Sequence, residues 1–423
     1  MTRARRWFIA VMALILVAAL LAYWGSRPQR VAGLVMSQLG PALGLEITAT
    51  GVSEYALRGG PRLVLRNVVA RTPGATRDVL RANRIDVAVP WSTVRSRGAE
   101  LAFTHVELDA PVIDLGALQS WLAARPAGES RMPTLSNGLR VRDGRVVGDG
   151  WSVEALSLDV PRVLPKQPVD ARISGQVAVP PSRHSRVGGN PELKVAFALT
   201  FATTAPANNA TATVNGTVRY VQADRRLVSR IHASGPLHLD NGELTIAPLR
   251  FSTSARYTQG KTNLPFVFAL NGPLRVHGTT VALSPAGVAL RGSDVIPNID
   301  ARAAFAYSKR AALHLEGTLA TWPDTWPALP APIGQSTSHL PFALDYNGPP
   351  DFSHTTRLQL TRDDTHFDGR FRVPDVLAWI DAPPASPLPP LSGRVRTPRV
   401  EIAGAILEGV DVRLEDPALN AAP

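Results

Sequence analysis

Leu80-Arg81-Ala82-Asn83-Arg84-Ile85-Asp86-Val87-Ala88-Val89-Pro90 decides how this chain is read. From Arg84 to Val89 polar or small residues alternate with β-branched ones, the period of a strand with one buried face. Ile85, Val87 and Val89 share that face, and Pro90 closes the run. Downstream, Glu100 to Leu108 repeats the pattern with Val106 and Leu108 on one face. Pro111 interrupts the ladder and Val112 to Leu115 resumes it. Leu115, Leu118 and Leu122, with Trp121 beside them, then fall at helical spacing, so a helix is expected to end near Pro126.

The same texture extends in both directions. Upstream, Leu45 to Thr50 and Arg62 to Val69 read as strands. Downstream, Arg140 to Val146 reads as two strand ends around an Asp143-Gly144 turn, and Leu237 to Ile246 as a hairpin with Asn241-Gly242 at its tip. Short strands are expected at Trp151–Val160, Ala171–Val179, Leu193–Thr203, Thr211–Val221 and Leu227–Ala233. They continue at Phe266–Leu270, Leu274–His277, Val281–Leu283, Val288–Arg291, Ala301–Tyr307 and Leu313–Leu319. Phe342–Tyr346, Arg357–Thr361 and Phe367–Val373 follow, then a short helix at Val376–Ile380. Val395–Ile402 and Ala405–Leu414 close the series as a hairpin. That is roughly twenty short strands with turns every 8 to 12 residues or so, the signature of a sandwich, barrel or extended sheet. The 37 prolines stand mostly at strand ends or between strands, where they leave ladders intact. Residues 126–137, 322–339 and 382–390 read as long loops, the last two proline-rich and extended.

The N-terminus is of another kind. Trp7 to Trp24 is eighteen residues without a charge. As a helix it would span about 27 Å, near the hydrocarbon thickness of a bilayer. Trp7, Phe8, Ile9, Leu14, Leu16, Leu20, Leu21, Tyr23 and Trp24 would form this anchor, with aromatics at both ends as at membrane interfaces. Arg3, Arg5 and Arg6 in front set the topology: a basic flank stays cytoplasmic, so the body lies outside the cytoplasm. A cleaved signal peptide is the competing reading, but no small-x-small pair stands near the end of the run. Behind the anchor, Val31, Leu34, Val35 and Leu39 suggest a short amphipathic helix, either at the membrane surface or capping the adjoining sheet.

Composition narrows function. With no cysteine, disulfides, thiolate metal sites and cysteine nucleophiles are excluded. Lys+Arg is 45 against 34 Asp+Glu, and the anchor topology disfavours nucleic acid as the basic protein's partner. Only Lys166, Lys194, Lys261 and Lys309 are lysines, so the positive charge is almost all guanidinium, which can fork onto phosphate. Scattered arginines that merely solvate strand faces would give the same count. The nine histidines are dispersed, with no HExxH, no G-x-S-x-G elbow and no G-x-G-x-x-G after a strand. Asp363-Asp364-Thr365-His366-Phe367-Asp368-Gly369 is the one acidic cluster; a hairpin turn accounts for it better than a calcium loop, whose distal Glu is missing. No catalytic constellation, cofactor motif or metal site is expected, and the protein is read as a non-enzyme.

Three passages resemble the AsmA-like family of inner-membrane-anchored, outward-facing bacterial proteins. They are the basic N-terminus with its single span, Leu80–Val94 followed by Glu100–Leu115, and Leu391–Val412. The resemblance implies a mainly β protein: one transmembrane helix, then an extended, curled antiparallel sheet forming a groove, with two or three short helices. It implies a cytoplasmic tail (1–6), the span (7–24), an N-terminal AsmA-like segment (25–130) and a β-rich periplasmic body (131–423). Residues 181–192, polar and without periodicity, are read as an inserted loop. Such proteins are associated with outer-membrane biogenesis and lipid traffic. The expected partners are phospholipid or another envelope lipid, the inner membrane, and outer-membrane or periplasmic proteins. Ile85, Val87, Val89, Val106 and Leu108 would line the groove. The alternative is a non-catalytic scaffold or assembly factor for envelope proteins, including a secretion-system component.

Overall fold

The computed structural model describes residues 44–56, 61–90, 102–124, 134–164, 167–179, 193–204, 210–222, 224–240, 243–326, 333–350, 352–381, 390–402 and 405–420. The anchor Trp7–Trp24, Arg3, Arg5, Arg6, the helix expected at Arg30–Leu39, the loop 181–192 and the hairpin tip Asn241-Gly242 lie outside them. Among the described residues no helix is long and apolar enough to cross a membrane. The protein is mainly β, and it divides into two compact units, Met1–Ala202 and Thr203–Pro423.

The first unit holds β1 (Glu46–Ala56), β2 (Arg62–Arg71), β3 (Asp78–Ala88), β4 (Ala102–Phe103), β5 (His105–Asp109) and β6 (Val112–Asp114). Helix α1 (Leu115–Ala123) follows, then β7 (Thr134–Leu135), β8 (Leu139–Val147), β9 (Ser152–Val160), β10 (Asp170–Val179) and β11 (Leu193–Thr203). Asp114 caps α1 by accepting a 2.8 Å bond from the Ala117 amide. The expectation of a purely antiparallel sheet is corrected here. β5 and β6 both run parallel to β8. Parallel neighbours need a long crossover, and the chain supplies one through α1. A second correction concerns Asp143-Gly144, which makes no hairpin. β8 runs straight through, with Asp143 at φ 50° and register shifts on both sides of Gly144. The left-handed residue is spent on a bulge, which bends a strand without reversing it.

Among the described residues the second unit is a meander of twelve strands, each antiparallel to the next. In order they are β12 (Ala210–Gln222), β13 (Arg225–Asp240), β14 (Glu243–Gln259), β15 (Thr262–His277), β16 (Thr280–Arg291) and β17 (Ile299–Tyr307). Then come β18 (Ala311–Leu319), β19 (Leu340–Gly348), β20 (Thr355–Arg362), β21 (Thr365–Arg372), helix α2 (Val373–Asp381), β22 (Leu391–Ile402), β23 (Ala405–Leu414) and α3 (Pro417–Asn420).

Several stretches expected as separate strands are single long ones. Leu227–Ala233 and Leu237 onward form β13, Phe266–Leu270 and Leu274–His277 form β15, and Val281–Leu283 and Val288–Arg291 form β16. The proline in each gap sits in a bulge rather than at a strand end. The register shifts between Ser234 and Leu237, Ile246 and Leu249, Asn271 and Leu274, and Leu283 and Ala286. The shifts stand side by side on adjacent strands, so the strands bend along one line.

Candidate functional site

Residues opposite one another in a ladder share a face, so register shows what each face is made of. In the second unit one row crosses every strand from β12 to β23: Val214, Ala233, Phe251, Leu270, Val288, Ala301, Gly317, Phe342, Leu360, Phe367, Val395 and Val412. It contains no polar side chain. Its neighbours carry similar rows, such as Leu237–Ile246–Leu274–Leu283–Phe305–Leu313–Tyr346 and Phe268–Leu290–Ile299–Leu319–Leu340.

The opposite face is built from chain neighbours of the apolar row. It reads Thr213, Ser234, Arg250, Asn271, Gly287, Arg302, Glu316, Ala343, Gln359, Asp368, Arg394 and Arg413. Six of these are charged, against none in the first row, so these two rows make the sheet amphipathic across its whole width. Most of the apolar row is half-buried rather than buried, and Val412 is 44% exposed. A core between two layers would bury such residues fully. The cover described is local. Ile333 packs with Leu319 and Leu340, and Trp322 against that cluster. Arg362, only 5% exposed, holds that cover in place by donating to the carbonyls of Ile333 (2.9 Å) and Ser338 (3.0 and 2.8 Å).

The first unit repeats the arrangement. Leu65, Ile85, Leu108, Val141, Leu158, Ile173 and Leu199 form one cross-strand row. Leu63, Val87, Val106, Leu139 and Val160 form another. Thus Ile85, Val87, Val106 and Leu108 stand in apolar rows, and Ile85 packs on Leu65 and Val68. Val89 follows the end of β3, its amide bonded to the Pro61 carbonyl at 2.9 Å. The reverse face carries Asp86, Glu107, Arg140, Asp159 and Arg172 in register.

Asp86 has no exposed side-chain surface, yet it is charged. Arg62 donates to both its oxygens (2.9 and 2.5 Å), and Arg84 adds a 2.8 Å bond while also reaching Asp109 at 3.0 Å. The Arg62 bonds outweigh burial and hold the Asp86 carboxyl below the usual carboxylate range. Glu107 is paired at 2.6 Å with Arg142 and lies 3.3 Å from His105. These groups are tied to each other. The acidic run Asp363–Gly369 is dispersed as well. Asp363 and Asp364 make the β20–β21 turn, whereas Asp368 lies on the polar face, bonded through both oxygens to Arg357. Among the described residues no group of three His, Asp or Glu could hold a metal ion.

The alternation that places residues on a face was readable from the sequence. The rows were not, because they depend on strand register. No family model, curated protein or solved structure matches this chain.

Proposed function

We propose that the apolar faces of the two units hold the acyl chains of phospholipid or another envelope lipid, in a non-catalytic protein of outer-membrane biogenesis. The uninterrupted apolar row from Val214 to Val412 carries this reading. An acyl chain laid along such a face gains about 0.8 kcal/mol per buried CH₂, and its length suits a surface with no polar break. The reading includes the AsmA-like resemblance: a helix at Trp7–Trp24 anchors the chain in the inner membrane, the body lies in the periplasm, and the sheets curl into a groove. The bulge line across β13–β17 supports the curling, because aligned bulges bend a sheet.

The test is photo-crosslinking of the full chain in membranes. A photoreactive phenylalanine analogue replaces Leu270 or Phe342 on the apolar face, or Asn271 or Ala343 beside them on the polar face. Phospholipid adducts, read by mass spectrometry, are expected at the first pair only. No adduct at the apolar positions, or equal yields on both faces, sinks the proposal.

A second reading, a scaffold for envelope proteins, is favoured by β23. Among the described residues it pairs only with β22, and Ile406 and Leu407 are 52% and 46% exposed. Such an edge can accept a partner strand. Co-purified envelope proteins without lipid adducts would favour this reading.

A further inference from the structure

We infer that the polar face of the second unit carries a binding site for a ligand bearing several phosphate groups. The site is an open basin of about 1130 Å³ on β17–β23, with Glu415 and Leu419 at one end. The arginines argued from here stand on the polar face, although Phe342, Leu360 and Phe367 of the apolar row also border the basin.

Charge pairing inside the basin decides what is left for a ligand. Arg394 is bonded to Asp411 through both carboxylate oxygens. Arg357 takes Asp368 in the same way, and Arg291 takes Asp300 at 2.6 Å. Arg302 stands directly opposite Glu316 in the ladder. Arg370 on β21, Arg396 on β22 and Arg413 on β23 have no ion pair or hydrogen bond among the described residues, although Arg396 faces Asp411 in the ladder and Asp411, held by Arg394, also attracts Arg396 and Arg413. Among the described residues Glu316 and Glu415 are the lining carboxylates that no ion pair holds.

These guanidiniums surround Arg394. Arg413 is its cross-strand partner, Arg396 lies two residues along the strand, and Arg370 faces Ser392, two residues the other way. Adjacent strands are about 4.8 Å apart, and residues two apart on a strand about 6.8 Å. Their backbone positions therefore lie about 8 to 14 Å apart around one basin, a spread that several phosphates on one ligand could bridge and a single phosphate could not. Each guanidinium can present two parallel N–H donors to a phosphate and stays charged at any physiological pH. A single small anion would use one fork. A polyphosphorylated ligand, either a soluble molecule or a phosphorylated lipid headgroup, would use all three.

The experiment uses the full chain in phosphatidylcholine nanodiscs and two probes. One is inositol hexakisphosphate, read by calorimetry. The other is phosphatidylcholine vesicles with or without a phosphatidylinositol bisphosphate, read by co-flotation. The variant Arg370→Gln/Arg396→Gln/Arg413→Gln is compared with Arg219→Gln/Arg226→Gln/Arg275→Gln, which removes the same charge from exposed positions outside the basin. The basin variant should bind inositol hexakisphosphate at least about tenfold more weakly, and the control within about twofold of wild type. Basin-dependent flotation with phosphatidylinositol bisphosphate vesicles would assign the phosphates to a headgroup; basin-dependent binding of the soluble probe alone would assign them to a soluble ligand. Equal losses in both variants, or no binding of either probe, would overturn the site. Lipid adducts at Leu270 report on the other face, so the two proposals fail separately.

Discussion

Arg62 on β2 donates to both carboxylate oxygens of Asp86 on β3, at 2.9 and 2.5 Å, and the carboxylate has no exposed side-chain surface. Replacing Arg62 by Ala leaves that buried charge with Arg84 as its remaining guanidinium partner. The expected cost at neutral pH is about 2 kcal/mol, below that of breaking a fully buried pair because Arg62 is half exposed. A lowered folded pKa means stability is fully present above the unfolded carboxylate value of about 3.9 and is lost as pH falls through the folded value. The gap between wild type and Arg62→Ala should therefore shrink as the solution is acidified from about pH 5 downward. Urea unfolding at several pH values checks this; a gap that widens in acid would contradict it.

Arg362→Met should free the segment it holds. Three hydrogen bonds to the Ile333 and Ser338 carbonyls disappear, leaving acceptors over a buried cluster. The expected loss is about 2–4 kcal/mol, with new proteolytic cleavage between residues 333 and 339. Arg302→Gln, exposed on the polar face, should stay within about 0.5 kcal/mol of wild type. Equal effects of the two substitutions would argue against a clamp.

Gly317 is the smallest member of the apolar row. A Cβ there would lie 2.4 Å from the Asp300 carbonyl oxygen and 2.8 Å from the Ala301 Cα, both backbone atoms that cannot swing aside. Gly317→Val should cost about 2 kcal/mol, lowering the Tm of the unit by roughly 4–8 °C. An unchanged Tm would show that β17 and β18 can separate without penalty.

Val288 and Gly287 are chain neighbours on opposite faces of β16. Val288→Asp puts a carboxylate into the apolar row and should reduce bound phospholipid severalfold, read as lipid per protein after purification. Gly287→Asp adds the same charge to the wet face, where the nearest atom to a new Cβ is 3.9 Å away, and should leave lipid unchanged. Circular dichroism on both confirms folding. Equal lipid content in the two would count against the lipid reading.

Much of the fold was legible because alternation is local. Ile85 with Val87, and Val106 with Leu108, declare a strand and its faces whatever surrounds them. The prolines misled for a physical reason. Pro236, Pro273 and Pro285 remove donors from the ladder, yet each sits at a register shift where the ladder is already broken. Asp143-Gly144 carries a strong turn composition, but a left-handed residue serves a bulge as well as a turn. The basin arginines Arg370, Arg396 and Arg413 gave no signal, because 26 or more residues separate the first from the others and nothing local distinguishes them from solvating arginines.

The sequence by itself determined that this is a mainly β, cysteine-free chain, many of whose strands have one apolar and one polar face. That follows from a two-residue period, a property each strand carries alone. Only the tertiary structure decided which residues stand opposite one another: that Phe342 meets Leu360, that Arg394 meets Arg413, and that β5 and β6 run parallel to β8. Register is a relation between strands distant in the chain, set by loop lengths, bulges and the α1 crossover acting together. A one-residue slip would have turned a continuous apolar face into a broken one.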